Sequence, residues 1–188
     1  METALSSFVL VALSEMGDKT QLLAFSLASR YRRPWVVMAG ILTATVANHA
    51  LASSAGALVS AWLGPRLVSA ILAATFIGFG LWTLRPDTLD DEARHDRFGP
   101  FVTTTVLFFL AEMADKTQLA TVALAARYRS VVLVTAGTTL GMLASDGLAV
   151  FLGETIASRI PMAWIRRAAA ALFFAFGAAS LWGVWRAA

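Results

Sequence analysis

Six apolar stretches, each close to the length needed to cross a lipid bilayer, dominate this chain of 188 residues. A transmembrane helix needs about 20 mostly apolar residues. Hydrophobic residues make up 58% of the chain and charged residues 14%, against roughly 45–50% and about 25% in soluble domains. The six stretches cover residues 4–29, 35–63, 67–84, 101–126, 131–156 and 163–185. The sequence therefore predicts an all-α membrane protein with six transmembrane helices.

Composition also excludes several classes of function. The chain has no cysteine, which excludes disulfides, thiolate metal sites and cysteine nucleophiles. Its net charge is only +3, and it has no run of Lys or Arg with interleaved aromatic residues, so nucleic acid is not an expected partner. The sequence contains no Gly-x-x-x-x-Gly-Lys-[Ser/Thr] loop, which argues against transport driven by ATP.

The arginines are divided unequally between the two sides that six spans would define. Nine lie in the first, third and fifth connections, and four lie in the second and fourth connections or at the C-terminal end. The nine are Arg30, Arg32, Arg33, Arg85, Arg94, Arg97, Arg159, Arg166 and Arg167, and the four are Arg66, Arg127, Arg129 and Arg186. Cytoplasmic loops of membrane proteins carry an excess of Lys and Arg. This bias predicts that the odd connections face the cytoplasm and that both termini lie outside.

The sequence repeats itself with an offset of 97 residues. Residues 15–21 read Glu-Met-Gly-Asp-Lys-Thr-Gln, and residues 112–118 read Glu-Met-Ala-Asp-Lys-Thr-Gln. We expect two three-helix repeats, 1–86 and 100–188, joined by a polar cytoplasmic connector at 87–99. Because each repeat has an odd number of spans, the second enters the membrane from the opposite side. Such inverted repeats are typical of secondary transporters, which place their substrate site where the repeats meet.

Each repeat places two acids inside its first span, where an ionised side chain costs about 2.5–3.5 kcal/mol on insertion scales. These four acids are Glu15, Asp18, Glu112 and Asp115. Within each repeat the two acids are three positions apart, so they would share one face of a helix. Two such helices crossing between the repeats would bring four carboxylates together. A site of this kind suits a hard divalent cation such as Mg²⁺, Ca²⁺ or Mn²⁺.

Two lysines accompany the acids. Lys19 and Lys116 each follow an aspartate, and pairing with neighbouring carboxylates would balance part of the charge. Four carboxylates and two lysines sum to −2, which one divalent cation or two protons would neutralise. The charge sum therefore predicts the exchange of one divalent cation for protons.

Further polar residues are candidates for supporting the metal or gating its passage. The amide oxygens of Gln21 and Gln118 would reach the same face as the acids, since each glutamine follows its aspartate by three positions. The hydroxyls of Thr20 and Thr117 are candidates to satisfy backbone carbonyls or to hold a water molecule.

Asp146 lies deep in the fifth span, and His49 holds the equivalent position in the second. Asp146 is a candidate for the cation site and a proton path, or for an interhelical hydrogen bond. His49 is a candidate for the proton path, because imidazole titrates near neutral pH in water, or for a packing hydrogen bond. Gly17 would permit a local break in the first motif helix, whereas Ala114 holds its place in the second copy.

The twin motif closely resembles a family of cation transporters with one Glu-x-Gly-Asp-Lys-[Thr/Ser] motif in each three-span repeat. That family includes Golgi and chloroplast Mn²⁺/Ca²⁺ transporters and bacterial Mn²⁺ exporters. The resemblance covers essentially the whole chain, with Ala114 as a departure where the motif has Gly. It implies that the four acids of the two motifs bind the transported cation.

The sequence therefore predicts a secondary transporter that exports a divalent cation, with Mn²⁺ favoured, in exchange for protons. The alternatives are a Ca²⁺/H⁺ exchanger on the same scaffold and a divalent cation channel. An intramembrane aspartyl protease fits less well, because each aspartate comes with a glutamate and a lysine, so we expect no enzyme. The expected partners are the lipid bilayer of a bacterial inner membrane, the cation and protons as substrates, and no resident cofactor, with a homodimer left open.

Overall fold

The computed structural model of the chain describes residues 1–85, 98–113, 115–152 and 162–186. Eight helices, named α1 to α8 in chain order, account for nearly all of these residues. They are α1 (Glu2–Glu15), α2 (Lys19–Tyr31), α3 (Pro34–Trp62), α4 (Pro65–Thr83), α5 (Gly99–Glu112), α6 (Lys116–Tyr128), α7 (Val131–Leu152) and α8 (Met162–Arg186). Several features of the sequence prediction lie outside the described residues, namely the connector up to residue 97, Ala114, the end of the fifth span from residue 153, and Arg94, Arg97 and Arg159.

Four helices within the described ranges are long and apolar enough to cross a membrane. They are α3, α4, α7 and α8, which coincide with the second, third, fifth and sixth predicted spans. Pro34 and Pro65 stand at the first positions of α3 and α4, where the missing N–H removes no helix hydrogen bond. The prediction of an all-α membrane protein is confirmed at this level.

The first and fourth predicted spans are not continuous helices. α1 ends at Glu15 and α2 begins at Lys19, while α5 ends at Glu112 and α6 begins at Lys116. Both interruptions fall within the repeated motif. The prediction that the two acids of each motif share one face of a helix is therefore wrong, whereas the break that Gly17 was expected to permit is present and a second one occurs at the other motif. In each repeat the glutamate ends one helix and the aspartate precedes the next.

Local sequence explains the first break. Gly17 has a φ of +80°, a left-handed conformation that costs other L-residues about 1–2 kcal/mol. Asp18 is extended, and its carboxylate accepts a hydrogen bond of 2.7 Å from the backbone N–H of Lys19. Asp115 has nearly the same backbone angles at the start of α6. Aspartate favours such capping positions over helix interiors, because its short side chain bonds the local backbone.

The broken helices of each half pack on the long helix of the other half. α1 and α2 lie against α7, and α5 and α6 lie against α3, while α4 packs along α8. Glycine allows a close approach at equivalent places. A Cβ on Gly137 would lie 2.4 Å from the carbonyl oxygen of Ala4, and one on Gly40 would lie 2.8 Å from Cβ of Thr104. The two halves are therefore interlocked through repeated contacts.

Two contacts join a residue to its own equivalent in the other half. Thr45 Oγ1 donates a hydrogen bond of 3.1 Å to Met142 Sδ. The ring centroids of Phe76 and Phe173 are 6.4 Å apart. The members of each pair are 97 positions apart in the sequence, and a residue lies beside its own equivalent only near the axis that relates the two halves. That axis therefore passes between α3 and α7 and between α4 and α8.

Candidate cation site

The two helix breaks meet inside the molecule. α1 contacts α6, and α2 contacts α5. The four acids at the breaks are buried, with side chains at most 7% exposed. One oxygen from each of Glu15, Glu112 and Asp115 lies within 4.8 Å of the others. We call these three residues the acid cluster. It contains three of the four metal ligands predicted from the sequence.

The lysines form ion pairs that cross between the two motifs. Lys116 Nζ lies 2.7 Å from Asp18 Oδ2, and Lys19 Nζ lies 3.3 Å from Asp115 Oδ1. Each lysine thus contacts the aspartate of the other repeat, and Asp18 lies outside the acid cluster. Removing one partner of a buried pair leaves an uncompensated charge. The two pairs therefore help to fix how the breaks meet.

Threonine hydroxyls hold the carboxylate of Glu15. Thr20 Oγ1 donates a hydrogen bond of 2.9 Å to Glu15 Oε2, and Thr117 Oγ1 donates one to Glu15 Oε1. The sequence makes these hydroxyls candidates to satisfy backbone carbonyls or to hold a water molecule, and in the structure they donate to a carboxylate. Their contact with a carboxylate, one from each repeat, orients Glu15 in the way that outer hydrogen bonds commonly orient metal-binding carboxylates.

Other acids of the site have oxygens without protein partners. Both carboxylate oxygens of Glu112 are buried and have no hydrogen-bond partner among the described residues, and the same holds for Oδ2 of Asp115. A buried polar atom that is left unsatisfied costs about 1–3 kcal/mol, and a charged one costs more. These oxygens are therefore suited to a cation or a proton.

Asp146 brings a further acid to this region from α7. It is fully buried, and both its oxygens lack a hydrogen-bond partner in the described part of the chain. The residue before it, Ser145, accepts a hydrogen bond from Gln21 at the first break through its carbonyl oxygen. The equivalent His49 on α3 is also fully buried, and neither of its ring nitrogens has a hydrogen-bond partner within the described ranges. The two halves thus differ here, with an acid in one and an imidazole in the other.

The side chain of Gln21 braces the first break. Its Oε1 accepts a hydrogen bond of 2.8 Å from the backbone N–H of Gly17. Its Nε2 donates one of 3.0 Å to the carbonyl oxygen of Ser145 on α7. The amide oxygen that was predicted to reach the cation is therefore engaged with the backbone of the break. Gln118, at the equivalent position, is half-buried.

Asn48 is a site residue that the sequence analysis did not identify. Its Nδ2 donates a hydrogen bond of 2.9 Å to the carbonyl oxygen of Phe109 in the last turn of α5. Carbonyls at the end of a helix have no partner within that helix, so this bond stabilises the second break. Its position in the sequence could have identified it, because Asn48 directly precedes His49 and its equivalent Ser145 directly precedes Asp146.

Comparison with known proteins identifies the family. The chain matches a family model described as "Divalent cation/proton antiporter GDT1" over residues 3–91 and 100–188. This chain belongs to the GDT1 family. It is therefore a transporter of divalent cations and not an enzyme, and its apolar helices make it an integral membrane protein.

Relatives in the GDT1 family match nearly the full chain. A Vibrio cholerae protein named "Putative manganese exporter" is 45% identical over 168 residues, which cover 89% of this chain and 84% of that protein. A GDT1-like protein of Synechocystis is 32% identical, with 94% of this chain and 95% of that protein covered. GDT1-like protein 5 of Arabidopsis thaliana is 29% identical, with 93% of each covered. No solved structure matches this chain.

Proposed function

We propose that this chain exports Mn²⁺ in exchange for protons, and that the acid cluster binds the cation. The observation that carries the proposal is that the two helix breaks bring together three buried carboxylates with oxygens within 4.8 Å of one another. Oxygens that share one hard cation at 2.3–2.6 Å lie at most about 5 Å apart. The acid cluster therefore has the dimensions of a site for a single divalent cation.

The charges around the acid cluster explain why protons would be exchanged for the cation. The two lysines neutralise two aspartates, which leaves Glu15, Glu112 and Asp146 with a formal charge of −3. One divalent cation and one proton neutralise this charge, and so do three protons. Because an uncompensated buried charge is expensive, exchange between these two states moves one cation against two protons.

The acids have different roles in this proposal. Glu15 and Glu112 are ligands, and Asp115 binds through Oδ2, since its Oδ1 faces Lys19. Asp18 contributes through charge balance, because it pairs with the lysine of the other motif.

We propose that Asp146 relays protons to and from the metal ligands, because the charge balance leaves one proton on it in both states. It is the remaining buried acid near the acid cluster, and its oxygens have no protein partner in the described ranges. His49 is less suited to this role, because a buried imidazole is stable in its neutral form, whereas a buried carboxylate needs a proton or a cation to lose its charge. Ser145, the neighbour of Asp146, contacts Gln21 at the first break. His49 holds the position equivalent to Asp146 in the other half.

Two observations favour Mn²⁺ as the substrate. The acid cluster offers only carboxylate oxygens, which suit Mg²⁺, Ca²⁺ and Mn²⁺. The relative that is 45% identical carries the name of a manganese exporter. Ca²⁺ would use the same ligands, so it is the competing substrate that an experiment must include.

We infer six membrane crossings from the lengths of the broken helices. α1 and α5 have 14 residues each, and α2 and α6 have 13 each. Each pair rises about 40 Å at 1.5 Å per residue, which exceeds the hydrocarbon core of about 30 Å. Three crossings in each half invert the second half relative to the first. The arginine bias then places the connector in the cytoplasm of a bacterial inner membrane and both termini outside.

Transport in proteoliposomes tests this function. Vesicles containing the purified chain receive Mn²⁺, Ca²⁺ or Mg²⁺ outside, with metal and pH indicators inside. We expect Mn²⁺ entry that is fastest when the interior is more acidic and that slows when an ionophore collapses the pH gradient. Glu112→Gln should abolish entry, whereas the matched change Glu2→Gln, at an exposed position, should retain it. Entry that ignores the pH gradient would contradict exchange and indicate a channel.

A further inference from the structure

Helices α4 and α8 pack unequally against the helices that surround the acid cluster. α4 packs against α6, and α8 packs against α1. The equivalent contacts would join α8 to α2 and α4 to α5, and no packing of comparable extent joins those helices within the described ranges. Elsewhere the contacts of one half recur in the other. The pair of α4 and α8 therefore departs from the symmetry between the halves.

The hydrophobic core shows the same difference. One cluster joins Leu10 of α1 and Leu124 of α6 to Phe76 of α4 and Phe173 of α8. The other cluster contains residues of α2, α3, α5 and α7, among them Leu27, and no described residue of α4 or α8. We call these the α1–α6 side and the α2–α5 side of the acid cluster. α4 and α8 cover the first side and leave the second uncovered.

Equivalent positions on α2 and α6 differ in exposure and in chemistry. Ala123 and Ala126 on α6 are 3% and 6% exposed. Their equivalents on α2 are Ser26 and Ser29, and both are exposed. The residues are thus apolar where α4 and α8 cover them and polar where they do not. This pattern indicates a face of α2 that contacts water.

The lysines at the acid cluster follow the same pattern. The side chain of Lys116, at the start of α6, is 5% exposed, whereas that of Lys19, at the start of α2, is 32% exposed. The exposed face of α2 therefore runs from Ser29 through Ser26 and Leu22 to Lys19, which contacts Asp115 of the acid cluster. In this structure the α2–α5 side is therefore the less covered side of the buried acid cluster.

Arg127 joins α6 to α8 on the opposite side. Its Nη1 donates a hydrogen bond of 3.0 Å to Ser180 Oγ on α8, and its guanidinium carbon lies 5.2 Å from the ring centroid of Phe176. Both contacts join the end of α6 to α8. A hydrogen bond from a charged donor is about twice as strong as a neutral one, so Arg127 holds α6 firmly against α8.

The equivalent set in the other half is present but is arranged differently. Arg30 corresponds to Arg127, and Thr83 and Phe79 of α4 correspond to its two partners. Arg30 is exposed. The hydroxyl of Thr83 is buried and has no hydrogen-bond partner among the described residues. An acceptor is thus in place on α4 for an arginine at the end of α2.

We propose that Arg127 closes one entrance to the acid cluster and that Arg30 closes the other entrance in a second state of the protein. In that state α4 and α8 pack on α5 and α2, and Arg30 contacts Thr83 and Phe79. This inference rests on the proposed function, because an exchanger must open a single site to one side at a time. Arg127 and Arg30 are positioning residues that act by fixing α4 and α8.

Cysteine accessibility tests this proposal, since the chain has no native cysteine. Single cysteines replace Ser26 and Ala123, which are equivalent positions, and a neutral water-soluble maleimide reports their exposure in vesicles without metal. We expect Ser26→Cys to react and Ala123→Cys to react slowly. Equal slow reaction of both would overturn the proposal, because α2 would then face lipid.

Changes at the two arginines should shift the exposure in opposite directions. Arg127→Gln should raise the reaction rate of Ala123→Cys about tenfold, the effect of losing one charged hydrogen bond, without raising that of Ser26→Cys. The matched change Arg30→Gln should lower the rate of Ala123→Cys. Ser180→Ala should raise the reaction rate of Ala123→Cys, as Arg127→Gln does, and Thr83→Ala should lower it, as Arg30→Gln does. Both changes leave the two arginine charges in place.

Two results would overturn the two-entrance proposal. The first is a higher maleimide reaction rate at both cysteines with Arg127→Gln, which would indicate that the whole helix packing is loosened. The second is an unchanged rate at Ala123→Cys with both Arg127→Gln and Ser180→Ala. Labelling needs no transported ion, so the outcome is separate from that of the proposed function. If the labelling rates shift in opposite directions but no Mn²⁺ flux is found, the two-entrance proposal is supported and Mn²⁺ transport is contradicted. If Mn²⁺ flux is found but the labelling rates do not shift in opposite directions, Mn²⁺ transport is supported and the two-entrance proposal is contradicted.

Discussion

Glu15 and Glu112 hold equivalent positions in the two motifs, yet their surroundings differ. Glu15 accepts hydrogen bonds from two threonine hydroxyls, whereas both oxygens of Glu112 lack a partner among the described residues. A carboxylate without protein donors gains the most from a cation or a proton. In the proposed exchange, Glu112 is therefore the acid at which the cation and the proton would compete most directly.

Replacing Glu112 should weaken Mn²⁺ binding more than any outer contact does. Glu112→Gln keeps the shape of the side chain and removes one anionic ligand. We expect a loss of affinity greater than the roughly 10–100-fold that follows the loss of an outer hydrogen bond. Calorimetric titration of the purified protein in detergent measures this, with Glu2→Gln as the matched control. Near-native affinity in Glu112→Gln would remove that residue from the site.

The threonine of the second motif should matter through Glu15. Thr117→Val removes a hydrogen bond to the carboxylate and should lower Mn²⁺ affinity by about 10–100-fold. Thr121→Val is the control, since Thr121 Oγ1 donates to the carbonyl oxygen of Thr117 at 2.8 Å and to none of the acids. The same titration compares the two variants. An equal loss in both would mean that the effect arises from the packing of α6.

The helix breaks are the elements on which the site depends, and Gly17 is central to the first. Its φ of +80° costs another residue about 1–2 kcal/mol, so Gly17→Ala should lower the free energy of unfolding by about that amount. Gly78→Ala on α4 is the control, because a Cβ there meets no heavy atom within 4 Å. That change should be neutral or should stabilise the helix by up to about 1 kcal/mol. Thermal unfolding in detergent compares the two variants. Equal effects would show that the backbone conformation at position 17 imposes no particular cost on alanine.

The long helices could be predicted from the sequence and Gly17 indicated that the first break was possible, whereas the second break could not be predicted. α3 and α7 follow from uninterrupted apolar runs. In the motifs, three-residue spacing of acids is compatible with a helix, and Gly17 gives a break signal in the first copy, whereas the second has Ala114 in its place. The ion pairs between Lys19 and Asp115 and between Lys116 and Asp18 depend on how the halves meet, which local sequence does not encode.

The proposed inverted arrangement of the two halves requires six membrane crossings. If only α3, α4, α7 and α8 crossed the membrane, the turns after α2 and after α6 would lie on the same side. With six crossings they lie on opposite sides. Arg32 and Arg129 mark these two turns at equivalent positions, with φ angles of 50° and 52°, and both are exposed.

Cysteines at these two positions should therefore label from opposite faces of the membrane. Arg32→Cys should react with an impermeant maleimide only from the cytoplasmic face, and Arg129→Cys only from the outer face. Intact cells and inside-out vesicles provide the two measurements. The two variants carry the same change in the same backbone conformation, so local strain does not bias the comparison. Labelling of both from one face would contradict the inverted arrangement.

The central claim is that one buried site holds either a divalent cation or protons. Metal binding to such a site releases protons. The charge balance of Glu15, Glu112 and Asp146 predicts that about two protons are released for each cation bound. The direct measurement is titration of the purified protein with Mn²⁺ in weak buffer with a pH indicator, between about pH 6 and 8, with Glu112→Gln as the control that should show no release. We predict release of about two protons for each Mn²⁺ bound, and weaker binding as the pH falls. Binding of Mn²⁺ without proton release across this range would contradict the account.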